Sequence, residues 1–377
     1  MNIPLQKPSL GSEELDAVAN VFTSRWLGAG AITEQFEKRL QELMGKRHVA
    51  AVSSGTAALH LAFSALNAPP NSEVILPSLT FAATAQAVLM AGLKPIFCEV
   101  RPDDLNIDLD DAFSRVNDKT CAIVPVHFGG EVCELDLLLA EARRYGLRVI
   151  EDSAHAFGST YRGRLVGSFG DVTAFSFDPI KNITCGEGGA VVTDDENLID
   201  TIRIQRQLGI GGMGSTKRQD RAWIRGGSHH VISRGFRYHM PNLNASIGLV
   251  QLKSLKKFTE IRQSIARRYD EALSNIPGLI TLIRRTDETC PFIYVVRVLG
   301  GRRAELMAHL ERLGIGSGIH YAPCHLQPAF RQSTAALPIT EELSGQIMTL
   351  PLFCEMTDAE VNQVIDAIVR FFYCVRA

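Results

Sequence analysis

The strongest constraint on this chain is an alternation of short apolar, β-branched runs with amphipathic helical stretches. Strand-like runs fall at His48–Val52, Glu73–Leu76, Pro95–Val100, Ala122–Val126, Leu147–Glu151, Val172–Phe177 and Ala190–Thr193. Helical patterns stand between most of them, as at Ala57–Leu66 and at Glu134–Tyr145, which Gly146 closes. Upstream, Leu15, Val18 and Phe22 share one helical face, with Glu13 and Glu14 favouring its N-terminus. Phe36, Leu40 and Leu43 repeat the pattern behind Thr33, the expected N-cap. This order predicts an α/β fold whose central sheet is mostly parallel, with helices on both faces. Ligands of such sheets sit outside the carboxyl ends of the strands.

After Asn244 the texture changes. Leu255, Phe258, Ile261, Ile265, Tyr269 and Leu273 follow helical spacing and predict one long amphipathic helix. Beyond it, a strand at Phe292–Val298 and helices at Arg303–Leu313 and Asp358–Phe372 predict a smaller α+β unit. A boundary near 250 divides the chain into a large domain, 1–250, and a small C-terminal domain, 251–377. The glycine-rich stretch Gly209–Arg234 reads as a long loop, a class of segment that is usually functional or mobile.

Composition excludes several classes. The 39 basic and 41 acidic residues leave a net charge of −2, so a strongly basic nucleic-acid binder is not expected. No apolar run reaches the length of a membrane span, and Met1–Gly11 has no apolar signal region. The eight cysteines are scattered and form no C-x-x-C pair. They read as reduced, cytosolic thiols rather than a disulfide framework or a zinc site.

Three patterns imitate sites. Gly209-Ile-Gly-Gly-Met-Gly214 matches G-x-G-x-x-G, but the basic helical stretch Ile202–Leu208 precedes it where a strand is needed. His320 and His325 have no Cys or carboxylate at metal-ligand spacing beside them, so no metal site is expected. His229-His230 lies in the glycine-rich loop and reads as solvated.

Four features fall at strand ends. Ser53-Ser54-Gly55-Thr56-Ala57 opens a helix with small residues that let an anion reach free backbone N–H groups. It would serve equally as a plain N-cap. Glu151-Asp152-Ser153-Ala154-His155 puts acids directly after the strand run Leu147-Arg-Val-Ile150, where a partly buried carboxylate needs a cationic partner. A protonated pyridine nitrogen is one such partner, and capping of a following helix is the alternative. Lys181 lies just past a strand end, near Ser176 and before Gly186-Glu-Gly-Gly189. A confined lysine there can capture a carbonyl cofactor as a Schiff base; a plain surface lysine is the other reading. Phe81, in Thr80-Phe-Ala-Ala-Thr84, can stack on a flat ring or fill the core.

In order and spacing these stretches resemble the DegT/DnrJ/StrS family of PLP-dependent sugar aminotransferases, of PLP fold type I. The matching segments are Ser54–Ala62, Pro77–Thr84, Glu151-Asp152, Gly167–Asp171, Phe175–Phe177, Lys181–Gly189, His320-Tyr321 and Leu350–Phe353. The resemblance implies pyridoxal 5'-phosphate (PLP) as cofactor. It implies Lys181 as Schiff-base lysine and proton shuttle, Asp152 on the pyridine nitrogen, and His155 near the ring oxygen or ring face. It places Phe81 on the ring, Gly55, Thr56, Ala57 and Ser176 at the phosphate, and His320, Tyr321 and Trp26 towards the substrate. Arg237 stands where relatives usually have an Asn that reaches the neighbouring subunit's cofactor phosphate; it can make that contact or face the substrate. The implied activity is transfer of the L-glutamate amino group to a keto-sugar on a nucleotide diphosphate, a 4-keto-6-deoxy sugar first and a 3-keto sugar as the alternative, by a cytoplasmic homodimer. Lys217, Arg218, Arg221 and Arg225 are candidates for meeting a diphosphate, or a solvated basic loop. Rival readings are an aminotransferase of cyclitols or other cyclic ketones, a PLP-dependent sugar dehydratase and a non-catalytic PLP-fold regulator. Some dehydratases replace the lysine with histidine, and a regulator would have lost Lys181 or Asp152.

Overall fold

The computed structural model describes residues 2–45, 47–211, 230–333 and 336–373. The glycine loop's basic residues, from Lys217 to Arg225, lie outside them, as do His229 and the second half of the G-x-G-x-x-G match. Strands β1 to β5 are His48–Val52, Glu73–Pro77, Lys94–Cys98, Thr120–Ile123 and Arg148–Asp152. A small hairpin, β6 Thr160–Tyr161 and β7 Arg164–Leu165, precedes β8 Val172–Ser176 and β9 Gly189–Thr193. Helices α1 to α4 are Ser12–Ser24, Ala31–Leu43, Gly55–Ala65 and Ala82–Met90, followed by α5 Leu109–Ser114, α6 Leu135–Tyr145 and α7 Glu196–Gln205.

The central sheet has seven strands in the order β1-β9-β8-β5-β4-β2-β3. Four neighbouring pairs are parallel, and β9 is antiparallel to both β1 and β8. Six strands therefore point one way, and their carboxyl ends form one edge. Layers of buried side chains cover both faces: Phe36, Leu40 and Phe175 belong to one, Leu61, Val88 and Ile202 to the other. That is why β1, β2 and β8 are buried nearly throughout rather than alternating.

The long helix α8, Asn242–Leu273, packs its first half against α1 and α2. Its second half lies against a three-stranded antiparallel sheet of β10 Leu279–Thr281, β11 Tyr294–Val298 and β12 Ile347–Leu350. Helices α9 Arg303–Arg312, α10 Pro338–Gln346 and α11 Asp358–Tyr373 complete this part. The α/β architecture with a smaller α+β portion is as the sequence predicts.

One local expectation is corrected. Thr33 is not an N-cap: α2 starts at Ala31 behind Gly30, and the Thr33 hydroxyl instead donates to Met240 O or Asn242 Oδ1. In α1 the buried residue is Val21, whereas Leu15 and Phe22 are exposed. Among the described residues the seven cysteines are free thiols, and no helix is long and apolar enough to cross a membrane.

Candidate active site

The carboxyl ends of β1, β2, β5 and β8 bring the predicted residues together. At the end of β1, Ser54 is extended and its Oγ accepts from the Ala57 amide at 3.1 Å. Gly55 and Thr56 are then the first helical residues, whose amides an α-helix cannot pair internally. A Cβ on Gly55 would fall 2.7 Å from the Ser176 Cβ, so glycine is what lets α3 start against the end of β8. Gly189 is needed in the same way, because a Cβ there would fall 2.5 Å from the Ser54 carbonyl oxygen.

Asp152 ends β5 and is buried. No helix follows it, so it is not a helix cap. Its Oδ1 accepts from the Ala154 amide at 3.1 Å and its Oδ2 from the Thr84 hydroxyl at 2.7 Å. Burial pushes its carboxyl above the usual range, against the pull of Thr84, the Ala154 amide and the Lys181 charge. Lys181 sits in the connection from β8 to β9, where Asp178 shapes the turn by accepting from the Ile180 and Lys181 amides. It is not a free surface lysine: its Nζ lies 4.0 Å from the centre of the Phe292 ring. Burial lowers its amine to about 8, opposed by the attraction of Asp178 and Asp152.

His155 is buried and stacked on Phe292, with ring centres 4.4 Å apart. The Gly129 amide donates to its Nδ1 at 3.3 Å, so the ring proton rests on Nε2, which donates to Tyr321 Oη at 2.9 Å. Burial, aided by the charges of Lys181 and His320, holds its pKa well below the ordinary value, so the ring is neutral. Tyr321 also meets Phe81, with ring centres 5.6 Å apart. Phe81 is 58% exposed at the start of α4, which rules out the core reading and leaves a ring free to stack. His320 Nδ1 is 2.8 Å from Thr349 Oγ1, and burial together with Lys181 lowers its pKa to about 4. His325 is held by Ser78 and Glu341, and no group of metal-ligating residues occurs among the described residues.

Two predicted residues stand apart from this set. Trp26 is half exposed; its indole donates to Ala29 O, and its carbonyl accepts from Asn242. Arg237 is exposed on the segment that bridges to Gln207 and runs beside Ser53. Sequence reasoning missed Phe292, which read only as the start of a strand, and Thr84. Their signals were weak, because a ring reaching over from a distant segment and a hydroxyl on a first helical turn look ordinary.

Behind Asp152 lies a buried support. Glu151 accepts from His127 Nε2 at 2.9 Å, the Gly170 amide at 2.7 Å and Thr173 Oγ1 at 2.9 Å. Burial pushes its carboxyl up, but His127 and the other donors outweigh it and hold it below the usual range. Its stabilisation is therefore present at neutral pH and is lost as pH falls through that lowered value. Glu151→Ala should reduce the unfolding free energy by about 3 kcal/mol or more, since three buried donors lose their acceptor. Urea unfolding checks this; a loss of under about 1 kcal/mol would mean the network carries little stability.

Known proteins match along nearly the whole chain. Residues 8–369 match the sequence profile of the DegT/DnrJ/EryC1/StrS aminotransferase family. The spore coat polysaccharide biosynthesis protein SpsC of Bacillus subtilis is 39% identical over 381 residues, covering 97% of this chain and 96% of SpsC. The aminotransferase TlmJ of Streptoalloteichus hindustanus superposes with a TM-score of 0.92 at 33% identity, covering all of both chains. Helicobacter pylori PseC, an aminotransferase involved in the biosynthesis of pseudoaminic acid, superposes with a TM-score of 0.91 at 26% identity, over 99% of this chain and all of PseC.

Proposed function

The chain belongs to the DegT/DnrJ/EryC1/StrS aminotransferase family, and from that premise we propose that it is a PLP-dependent transferase of the L-glutamate amino group to a keto-sugar carried on a nucleotide diphosphate. A 4-keto-6-deoxy sugar is the favoured acceptor, with surface polysaccharide or a glycosylated metabolite as the destination. SpsC and PseC, whose names concern sugar biosynthesis, support this class. The proposal includes a cytoplasmic homodimer and a division near residue 250 between a cofactor-binding and a smaller domain.

The observation that carries the reading is the pairing of a buried Asp152 with a lysine lowered to about 8 at one sheet edge. The donor set fits PLP: a carboxylate for a protonated ring nitrogen, an amine for an aldehyde, and a glycine-tight cradle for a phosphate. When bound, PLP supplies a carbonyl that captures amines and a ring that accepts electron density.

The chain's own residues would do the rest. Asp152 holds the proton on the ring nitrogen. Gly55, Thr56 and Ala57 offer helix-start amides to the phosphate, joined by Ser176. Phe81 covers a ring face, and His155 presents a neutral imidazole fixed by Gly129 and Tyr321. Lys181, partly unprotonated near neutral pH, takes the proton from the donor's α-carbon at Nζ and delivers it onward. The Phe292 face beside Nζ steadies the ammonium form and keeps water from one side. His320 and Tyr321 stand where an acceptor would enter.

The test is an absorbance spectrum of purified protein with PLP, before and after excess L-glutamate, then with a panel of nucleotide-linked keto-sugars. We expect a visible band that glutamate removes and the correct keto-sugar restores. Failure to form the band would overturn the cofactor assignment. A band indifferent to glutamate would overturn the donor.

A further inference from the structure

Thr80 and Thr84 lie at the start of α4, beside Phe81, and both are buried. The Thr84 hydroxyl has one proton and two acceptors within reach: Asp152 Oδ2 at 2.7 Å and Phe81 O at 3.2 Å. The shorter contact, to a carboxylate, takes it. Thr80 Oγ1, 2.9 Å away, is then the donor to Thr84. The chain Thr80 to Thr84 to Asp152 thus has one direction. With the Ala154 amide on Oδ1, each carboxylate oxygen of Asp152 accepts one internal bond. The plane of the carboxylate is fixed by two different elements, the turn after β5 and the first turn of α4.

We propose that Thr84 is a positioning residue, which aims the Asp152 carboxylate at the ring nitrogen and ties that aim to the helix turn carrying Phe81. This rests on the PLP reading above. A threonine is suited to the task because its hydroxyl donates to Oδ2 while accepting from Thr80, so the acid keeps its charge yet loses its rotation. Valine has nearly the same shape and cannot donate, which leaves Oδ2 buried with one partner fewer. Thr80 acts one step further out, by occupying the lone pair that would let the Thr84 proton turn elsewhere.

The experiment titrates cofactor-free protein with PLP and follows the visible band, with circular dichroism as the check on folding. Thr84→Val should bind PLP about tenfold more weakly, because a hydrogen bond to a charged group is lost. Thr84→Ser keeps the hydroxyl and should stay within about threefold of the parent. Thr80→Val should fall between them. The same titration is repeated with the 1-deaza analogue of PLP, which has carbon in place of the ring nitrogen. Against that analogue Thr84→Val and the parent should bind alike, since no nitrogen is there to be aimed at. If Thr84→Val does not fold, Thr84→Ala against Thr84→Ser makes the same comparison. Equal PLP affinity for the parent and the hydroxyl-free variant, a serine variant as weak as the valine one, or an equal loss towards the deaza analogue would overturn the assignment. A parent that takes up no PLP at all would overturn the proposed function and this inference with it.

Discussion

Lys181→Ala is expected to lose the visible absorbance of the lysine-bound cofactor and to slow amine transfer by at least about a thousandfold. Two functions disappear with one amine. The first is capture of the carbonyl, for which an uncharged nucleophile is needed. Burial supplies that by lowering Nζ to about 8, so a useful fraction is neutral near pH 7. The second is proton transfer at the donor's α-carbon, for which neither described histidine beside Lys181 is free. His155 is neutral, but its Nδ1 accepts from Gly129 and its Nε2 proton is committed to Tyr321. His320 Nδ1 is engaged with Thr349. The fold should survive, because the turn holding Lys181 is built by Asp178 and backbone amides rather than by the amine. PLP should still bind non-covalently through Asp152 and the start of α3. Single-turnover kinetics with preformed amine donor separates the two losses, and a variant within tenfold of the parent would remove Lys181 from the mechanism.

Much of this site was legible because its residues follow directly on strands. An acid after Leu147-Arg-Val-Ile, a lysine soon after Val172–Phe177 and a Ser-Gly-Thr after His48–Val52 stand at one edge once the strands run parallel. The sheet direction does the assembly, and apolar runs reveal the sheet. What a linear pattern does not carry is a contact made from outside the sheet. Phe292 stands at the head of the apolar run Phe292–Val298 and read only as the start of a strand; its place beside Lys181 depends on where the segment before β11 lies in space. Thr33 misled because a threonine ahead of an apolar repeat imitates a cap, while Gly30 starts the helix and Asn242, far along the chain, claims the threonine. The exposed Leu15 and Phe22 show the same limit: periodicity gives an apolar face without saying what it meets.

Asp152→Asn should be as damaging as loss of the lysine's proton transfer, though for a different reason. The carboxylate's part is charge. Opposite charges about 4 Å apart attract by about 4 kcal/mol at an effective dielectric constant near 20. An amide keeps the shape and forfeits nearly all of that. The ring nitrogen would lose its proton, and electron density leaving the donor's α-carbon would have no positive sink. Each 1.36 kcal/mol of barrier is about tenfold in rate, so the loss predicts a fall of about a thousandfold in the glutamate half-reaction. PLP affinity should fall as well, while capture by Lys181 remains possible and the visible band persists at saturating cofactor. That pattern, a band retained and turnover lost, separates this variant from Lys181→Ala, which loses both. Asp152 is buried against Thr84 and the Ala154 amide, and an asparagine would still accept through Oδ1 from one of them, so the fold should hold. Stopped-flow measurement of band decay with glutamate decides the matter. A decay rate within tenfold of the parent would mean that the charge beside Lys181 is structural and that the electron sink is held by some other group.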